Sequence, residues 1–123
     1  MKQVSKVFVD GKLPSINDYI DACRANKYKA AKMKREAEDL IIAQTLQLQQ
    51  ITRPVFFRFT WYEKTTQRDP DNVCAAKKFI LDALQKSGKL KNDNAKWVRG
   101  FAGDMFIYGI KQGVLIEVLE VIP

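Results

Sequence analysis

The chain contains no histidine. That excludes imidazole general bases, Ser-His-Asp and Cys-His triads, and histidine-liganded zinc or iron sites. Cysteine is nearly absent too. Cys23 and Cys74 are the only two and lie far apart, which fits neither a CxxC redox pair nor a four-ligand zinc site, so both are expected as reduced thiols in the core or on helices. No apolar run reaches membrane-spanning length, and Met1 to Asp10 alternates like a strand, unlike a cleavable leader. A cytoplasmic protein without membrane contact is the expectation. Carboxylate, lysine, tyrosine or metal chemistry remains.

What is present is mostly positive charge. Across 123 residues, 21 Lys and Arg face 14 Asp and Glu, a formal charge of +7. A surface of that sign attracts polyanions, nucleic acid first among them. The length and the 46% hydrophobic content suit one packed core and a single domain over residues 1–123. The cations are grouped. Arg24, Lys27, Lys29, Lys32, Lys34 and Arg35 run without an intervening acid, and Lys86, Lys89, Lys91, Lys96 and Arg99 surround only Asp93. A solvated helix face mixes signs, as Glu36, Glu38 and Asp39 do, so both blocks are expected to meet phosphates.

Local patterns predict the elements. Val4 to Val9 reads as a strand turned by Asp10-Gly11, and Pro14-Ser15 opens a helix with Ser15 and Asp18 spaced as in a capping box. Asn26 stops or kinks that helix. From about Tyr28 to Gln50, Met33, Ala37, Leu40, Ile41, Leu48 and Ile51 recur at helical spacing. Pro54 ends this run, and Val55 to Tyr62, apolar on both faces apart from Arg58, suits a central strand. A helix follows the loop Glu63 to Arg68 and ends with Gly88 at the position after its cap. Trp97 to Ile110 and Val114 to Val121 read as a hairpin joined around Gln112-Gly113, bulged near Gly103. The expected class is α+β, a small mixed β-sheet packed against helices.

Within this basic chain the acids between Arg68 and Asp93 form a cluster. At 100° per residue along one helix, Asp71, Lys78 and Asp82 share a polar face with Ala75 and Gln85, whereas Lys77 falls near Leu84 on the apolar side. Plain structural roles account for part of this. Asp69 can cap a helix that Pro70 begins, with Asp71 beside the positive end of the helix dipole. Lys78 and Asp82, at i and i+4, can be a surface ion pair of roughly 0.3–0.5 kcal/mol. Helix capping does not explain why basic blocks flank the acids without neutralising them pair by pair.

The run Arg68-Asp69-Pro70-Asp71-Asn72, then Lys78 to Leu84 (KFILDAL), then Gly88 and Asn92-Asp93, resembles the RusA family of Holliday junction resolvases. Leu13 to Asn17 (LPSIN) and Ala31 to Lys34 (AKMK) resemble the phage and prophage branch of that family. Together these segments span most of the chain. The resemblance implies a homodimeric endodeoxyribonuclease, dependent on Mg2+ with Mn2+ as a substitute, that nicks four-way DNA junctions symmetrically and needs no organic cofactor.

It implies Asp69, Asp71 and Asp93 as metal ligands and catalytic acids, and Lys78 as the active-site lysine with Lys77 as the alternative. Asn72 and Asp82 would support them. Arg24, Lys27, Lys29, Lys32, Lys34, Arg35, Lys86, Lys89 and Lys91 would hold the junction arms, and Arg68 a phosphate beside the cut. Two features depart from the family pattern. The interval from Asn72 to Lys78 is longer by almost one helical turn, and Asn92 stands in place of the first acid of an Asp-Asp pair. A branched-DNA-binding protein that has lost catalysis is the alternative on the same scaffold.

Overall fold

A computed structural model describes residues 1–121. Its elements are β1 (Lys2–Asp10), α1 (Ile16–Ala25), α2 (Lys27–Gln44), β2 (Val55–Glu63), α3 (Pro70–Cys74), α4 (Lys77–Lys86), β3 (Val98–Tyr108) and β4 (Gly113–Glu120). The strands form one four-stranded sheet in the order β1-β4-β2-β3. The chain is α+β with a mixed sheet, as its sequence pattern predicts. Among the described residues no helix is long and apolar enough to cross a membrane.

Polar side chains set the helix boundaries. Ser15 Oγ accepts from the Asp18 N–H at 3.1 Å and Asp18 Oδ2 accepts from the Ser15 N–H at 2.9 Å, a complete capping box at the start of α1. Asn26 serves two helices. Its N–H donates to the Ala22 carbonyl at 3.2 Å, ending α1, and its Oδ1 accepts from the Lys29 N–H at 2.8 Å, starting α2.

Helix α2 stops at Gln44, short of the expected Gln50. The Gln44 amide turns away to clamp the backbone of Asp10, accepting from its N–H and donating to its carbonyl, each at 2.8 Å. Leu48 and Ile51 prolong the apolar pattern because they are buried in the following turns. Their spacing reflects burial without helix.

Strand β2 carries the core. Val55, Phe57, Phe59 and Trp61 are buried on one face and pack with Ile41 of α2 and Ile80 and Leu84 of α4. Full burial of side chains this large makes their truncation costly, about 3–5 kcal/mol for a core Phe→Ala.

The expected hairpin between the last two strands does not form. β3 pairs with β2 in parallel, β4 pairs with β2 antiparallel, and β2 lies between them. Gly109 N–H donates to the Glu63 carbonyl at 3.0 Å, and the Lys64 N–H donates to Gln112 Oε1 at 3.3 Å, so the β3–β4 connection crosses the end of β2. A largely apolar central strand gains from neighbours on both edges, and β4, itself mostly buried, covers one of them and pairs Glu117 with Arg58 of β2. The bulge near Gly103 is present. Between Phe101 and Gly103 the register slips by one residue, and Gly103 takes a φ of +148°.

Gly113 permits the close pairing of β4 with β1. A Cβ there would collide with the Val9 carbonyl oxygen and the Phe8 ring. At the other end of the helical layer Gly88 has a φ of +79° where α4 ends, the left-handed position that glycine adopts without strain.

Candidate functional site

The acidic stretch lies where the chain leaves β2. Glu63, the last residue of that strand, is buried and receives both Arg68 Nε and Nη2 at 2.8 Å. Gln112 Nε2 also donates to Glu63. The remaining guanidinium nitrogen, Arg68 Nη1, donates to the Leu13 carbonyl at 2.9 Å. With its side chain only 15% exposed, Arg68 builds the turn and does not present its charge to solvent as expected for a phosphate contact.

Asn72 ties the next segment in place. Its Oδ1 accepts from the Asn17 N–H at 2.9 Å. The LPSIN and RDPDN segments, distant in sequence, therefore meet through two hydrogen bonds, one from Arg68 and one to Asn72.

Asp69 occupies the N-cap position of α3, with Pro70 first in the helix, yet its side chain makes no capping hydrogen bond. Capping therefore does not account for this carboxylate. Both Asp69 and Asp71 are exposed. Asp71 Oδ1 accepts only from the neighbouring Asn72 N–H, at 3.0 Å.

The helix expected from Asp71 through Gln85 is two segments, α3 and α4, separated at Ala75 and Ala76. This interruption breaks the shared face, and the charged groups divide around two lysines. Lys78 Nζ contacts Asp82 Oδ1 at 3.0 Å and Asp93 Oδ2 at 3.1 Å. Lys34 of α2 reaches Asp82 from the other side at 3.4 Å. The hydrogen bond to Asp82, followed by that to Asp93, holds the Lys78 ammonium above its ordinary pKa, so it stays charged at neutral pH.

Lys77 points the opposite way, as its apolar-side placement predicts. Its Nζ meets Asp104 Oδ2 at 2.8 Å and lies over the Phe101 ring, 4.5 Å from the centroid. Trp61 Nε1 donates to the other Asp104 oxygen at 2.9 Å. The Cys74 thiol, with Cys23 one of two free cysteines, is pushed up chiefly by desolvation. Asp104 and Asp71 raise it further, and Lys77 opposes them.

Sequence reasoning missed Asp104. Its signal is a lone carboxylate in the otherwise uncharged run Gly100 to Ile110, on a strand beside a tryptophan whose indole N–H needs an acceptor.

The donors available for a metal are carboxylate oxygens, the kind Mg2+ prefers. Among the described residues, however, no three Asp, Glu or Cys side chains stand close enough together to hold a metal ion. Asp93 is engaged by Lys78. The expected triad matches magnesium in donor chemistry and is not gathered as the side chains stand.

The two basic blocks differ. Arg24, Lys27, Lys29, Lys32 and Arg35 are exposed on α1 and α2, with Lys32 weakly paired to Glu36 at 3.8 Å. In the second block Lys86, Lys89 and Lys91 have partners within the chain, while Lys86, Lys91, Lys96 and Arg99 remain exposed. Lys86 pairs with the buried Glu38 at 3.7 Å, Lys89 Nζ donates to the Leu46 carbonyl at 2.9 Å, and Lys91 lies 5.7 Å over the Trp97 ring. Compared with protein-family models and with curated proteins, the sequence matches none.

Proposed function

We propose that this chain is a magnesium-dependent endodeoxyribonuclease that nicks branched DNA, four-way junctions foremost, and works as a homodimer in the cytoplasm of a bacterium or phage-infected host. The observation that carries the reading is the junction of the two resembling segments. Arg68 and Asn72 of RDPDN bond to Leu13 and Asn17 of LPSIN, so residues far apart in sequence build one corner of the molecule. Asp69 and Asp71 project from that corner, and Lys78 and Asp93 lie along α4 and the loop beyond it.

In this reading Asp69, Asp71 and Asp93 hold magnesium, with manganese as a substitute. The bound ion supplies an activated water and charge stabilisation at phosphorus. The chain's own residues do the rest. The Lys78 ammonium offsets phosphate charge, Asp82 keeps that ammonium in place, and Asn72 fixes the turn bearing Asp71. The exposed cations from Arg24 to Arg35 hold the DNA arms through their phosphates, a salt-sensitive attraction.

A catalytically inactive branched-DNA-binding protein is the second reading. Asn92, where the family carries the first acid of an Asp-Asp pair, favours it. Asp71→Asn discriminates the two. The nuclease reading expects the native chain with Mg2+ to cut a labelled synthetic four-way junction in paired symmetric nicks, and the variant to bind it equally or more tightly without cutting. A native chain that binds the junction and leaves it whole with Mg2+ or Mn2+ decides for the inactive binder. A variant that cuts at the native rate removes Asp71 from the site.

A further inference from the structure

Between α1, α2 and the α3–α4 break lies a cavity of about 210 Å3, several times the ~30 Å3 share of one water in the liquid. Ile16, Tyr19, Ala75 and Phe79 give it apolar walls, and its polar lining is confined to Lys34, Lys78 and Asp82. The Tyr19 and Phe79 rings meet edge to face, with centroids 5.5 Å apart. The space suits one flat heteroaromatic ring and is smaller than pockets that enclose drug-sized ligands.

We propose that this cavity receives a single unstacked base of branched DNA, an inference that rests on the nuclease reading and names a contact that reading lacks. Charge complementarity selects this occupant over an apolar side chain of a partner protein. Lys34 and Lys78 sit in the cavity lining with Asp82 between them, two cations to one anion, which leaves a net positive charge for the phosphates flanking an inserted base. Lys27, seven residues earlier on the same helix and so on nearly the same side as Lys34, is exposed beyond it. An aromatic pair accepts any base through its π-face, and the Asp82 carboxylate can accept from an exocyclic amino group. A junction crossover yields an unstacked base at lower cost than an intact duplex.

The test uses the native chain and a set of synthetic four-way junctions, each with one abasic residue at a successive position around the branch point. Affinity is read by fluorescence anisotropy in metal-free buffer. One position is expected to weaken binding roughly tenfold, the order lost when a stacked base is removed, while its neighbours change little. Ala75→Leu, which fills the cavity without altering charge, is expected to bind the intact junction with a similar loss and to show no further penalty at that position.

A flat abasic scan with salt-sensitive binding to the intact junction overturns the base pocket alone and leaves the cavity to a partner's apolar side chain. Failure to bind the intact junction at all overturns the nuclease reading with it. The scan needs no variant, so its outcome is decisive whether or not Ala75→Leu folds.

Discussion

Lys77 and Asp104 join α4 to the edge strand β3 across 2.8 Å, and Trp61 on β2 holds the second oxygen of the same carboxylate. Both side chains are less than one-quarter exposed. Removing the carboxylate therefore strands an ammonium and an indole N–H together. Asp104→Leu is expected to cost about 1–3 kcal/mol in urea unfolding, and Asp104→Asn less, because an amide still accepts from Trp61. The same pair reports on Cys74. Asp104→Asn should speed alkylation of this thiol at pH 8 and Lys77→Met should slow it. An unchanged Asp104→Asn rate would separate Asp104 from the Cys74 environment.

Acid weakens the sheet at one identifiable point. Glu117 accepts two hydrogen bonds from Arg58, at 3.1 and 2.7 Å, and they hold its carboxyl below the ordinary value of 4.5. A folded-state pKa lowered in this way contributes stability above the ordinary value, and that stability is lost as pH falls through the folded one. The urea midpoint of the native chain should therefore drop below about pH 4.5, and Glu117→Gln should flatten that part of the curve. Parallel profiles for the two chains would contradict the assignment.

The capping box at α1 is reciprocal, so its two halves are not independent. Ser15→Ala is expected to destabilise by about 1 kcal/mol, within the range for N-cap losses. Adding Asp18→Ala should cost less than the sum of the single changes, because each side chain serves the other's backbone. Thermal or urea unfolding of all four chains measures this, and strict additivity would argue against the box.

Anchoring to other parts of the chain, rather than exposure, predicts which cations meet DNA. Replacing Lys27, Lys29 and Arg35 by Gln should lower junction affinity and reduce the salt slope by about 0.9 for each phosphate that these side chains neutralise. The same replacement at Lys86, Lys89 and Lys91 should instead lower stability and leave the slope nearly intact, since each has a partner within the chain. Equal slope changes in the two triple variants would place the second block on the DNA.

Features governed by neighbours in sequence were legible from the sequence. Ser15, Asn26 and Gly88 mark their boundaries through bonds and backbone angles that span a few residues. The divergence of Lys77 and Lys78 followed from helical geometry alone. Strand partnership did not, because the pattern from Trp97 to Val121 suits a hairpin as well as two strands flanking a third. The long reach of apolar spacing into Ile51 also misled, since buried turns and helices use the same residues. Of the candidate site, Lys78, Asp82 and Asp93 come together, whereas Asp69 and Asp71 do not join them in a metal-holding group. The helix break at Ala75 and Ala76 carries no local signal.

The strand order β1-β4-β2-β3 has a consequence for how the molecule comes into being. Strand β1 pairs only with β4, so it has no partner in the sheet until residues 113–120 have been synthesised. The parallel pair β2–β3 likewise waits for α3 and α4 to pass between its members. Contacts so distant in sequence slow folding and leave apolar strand edges open to other chains meanwhile. Helix α2 and its clamp on Asp10 draw only on residues 10–44 and so need no later strand to form.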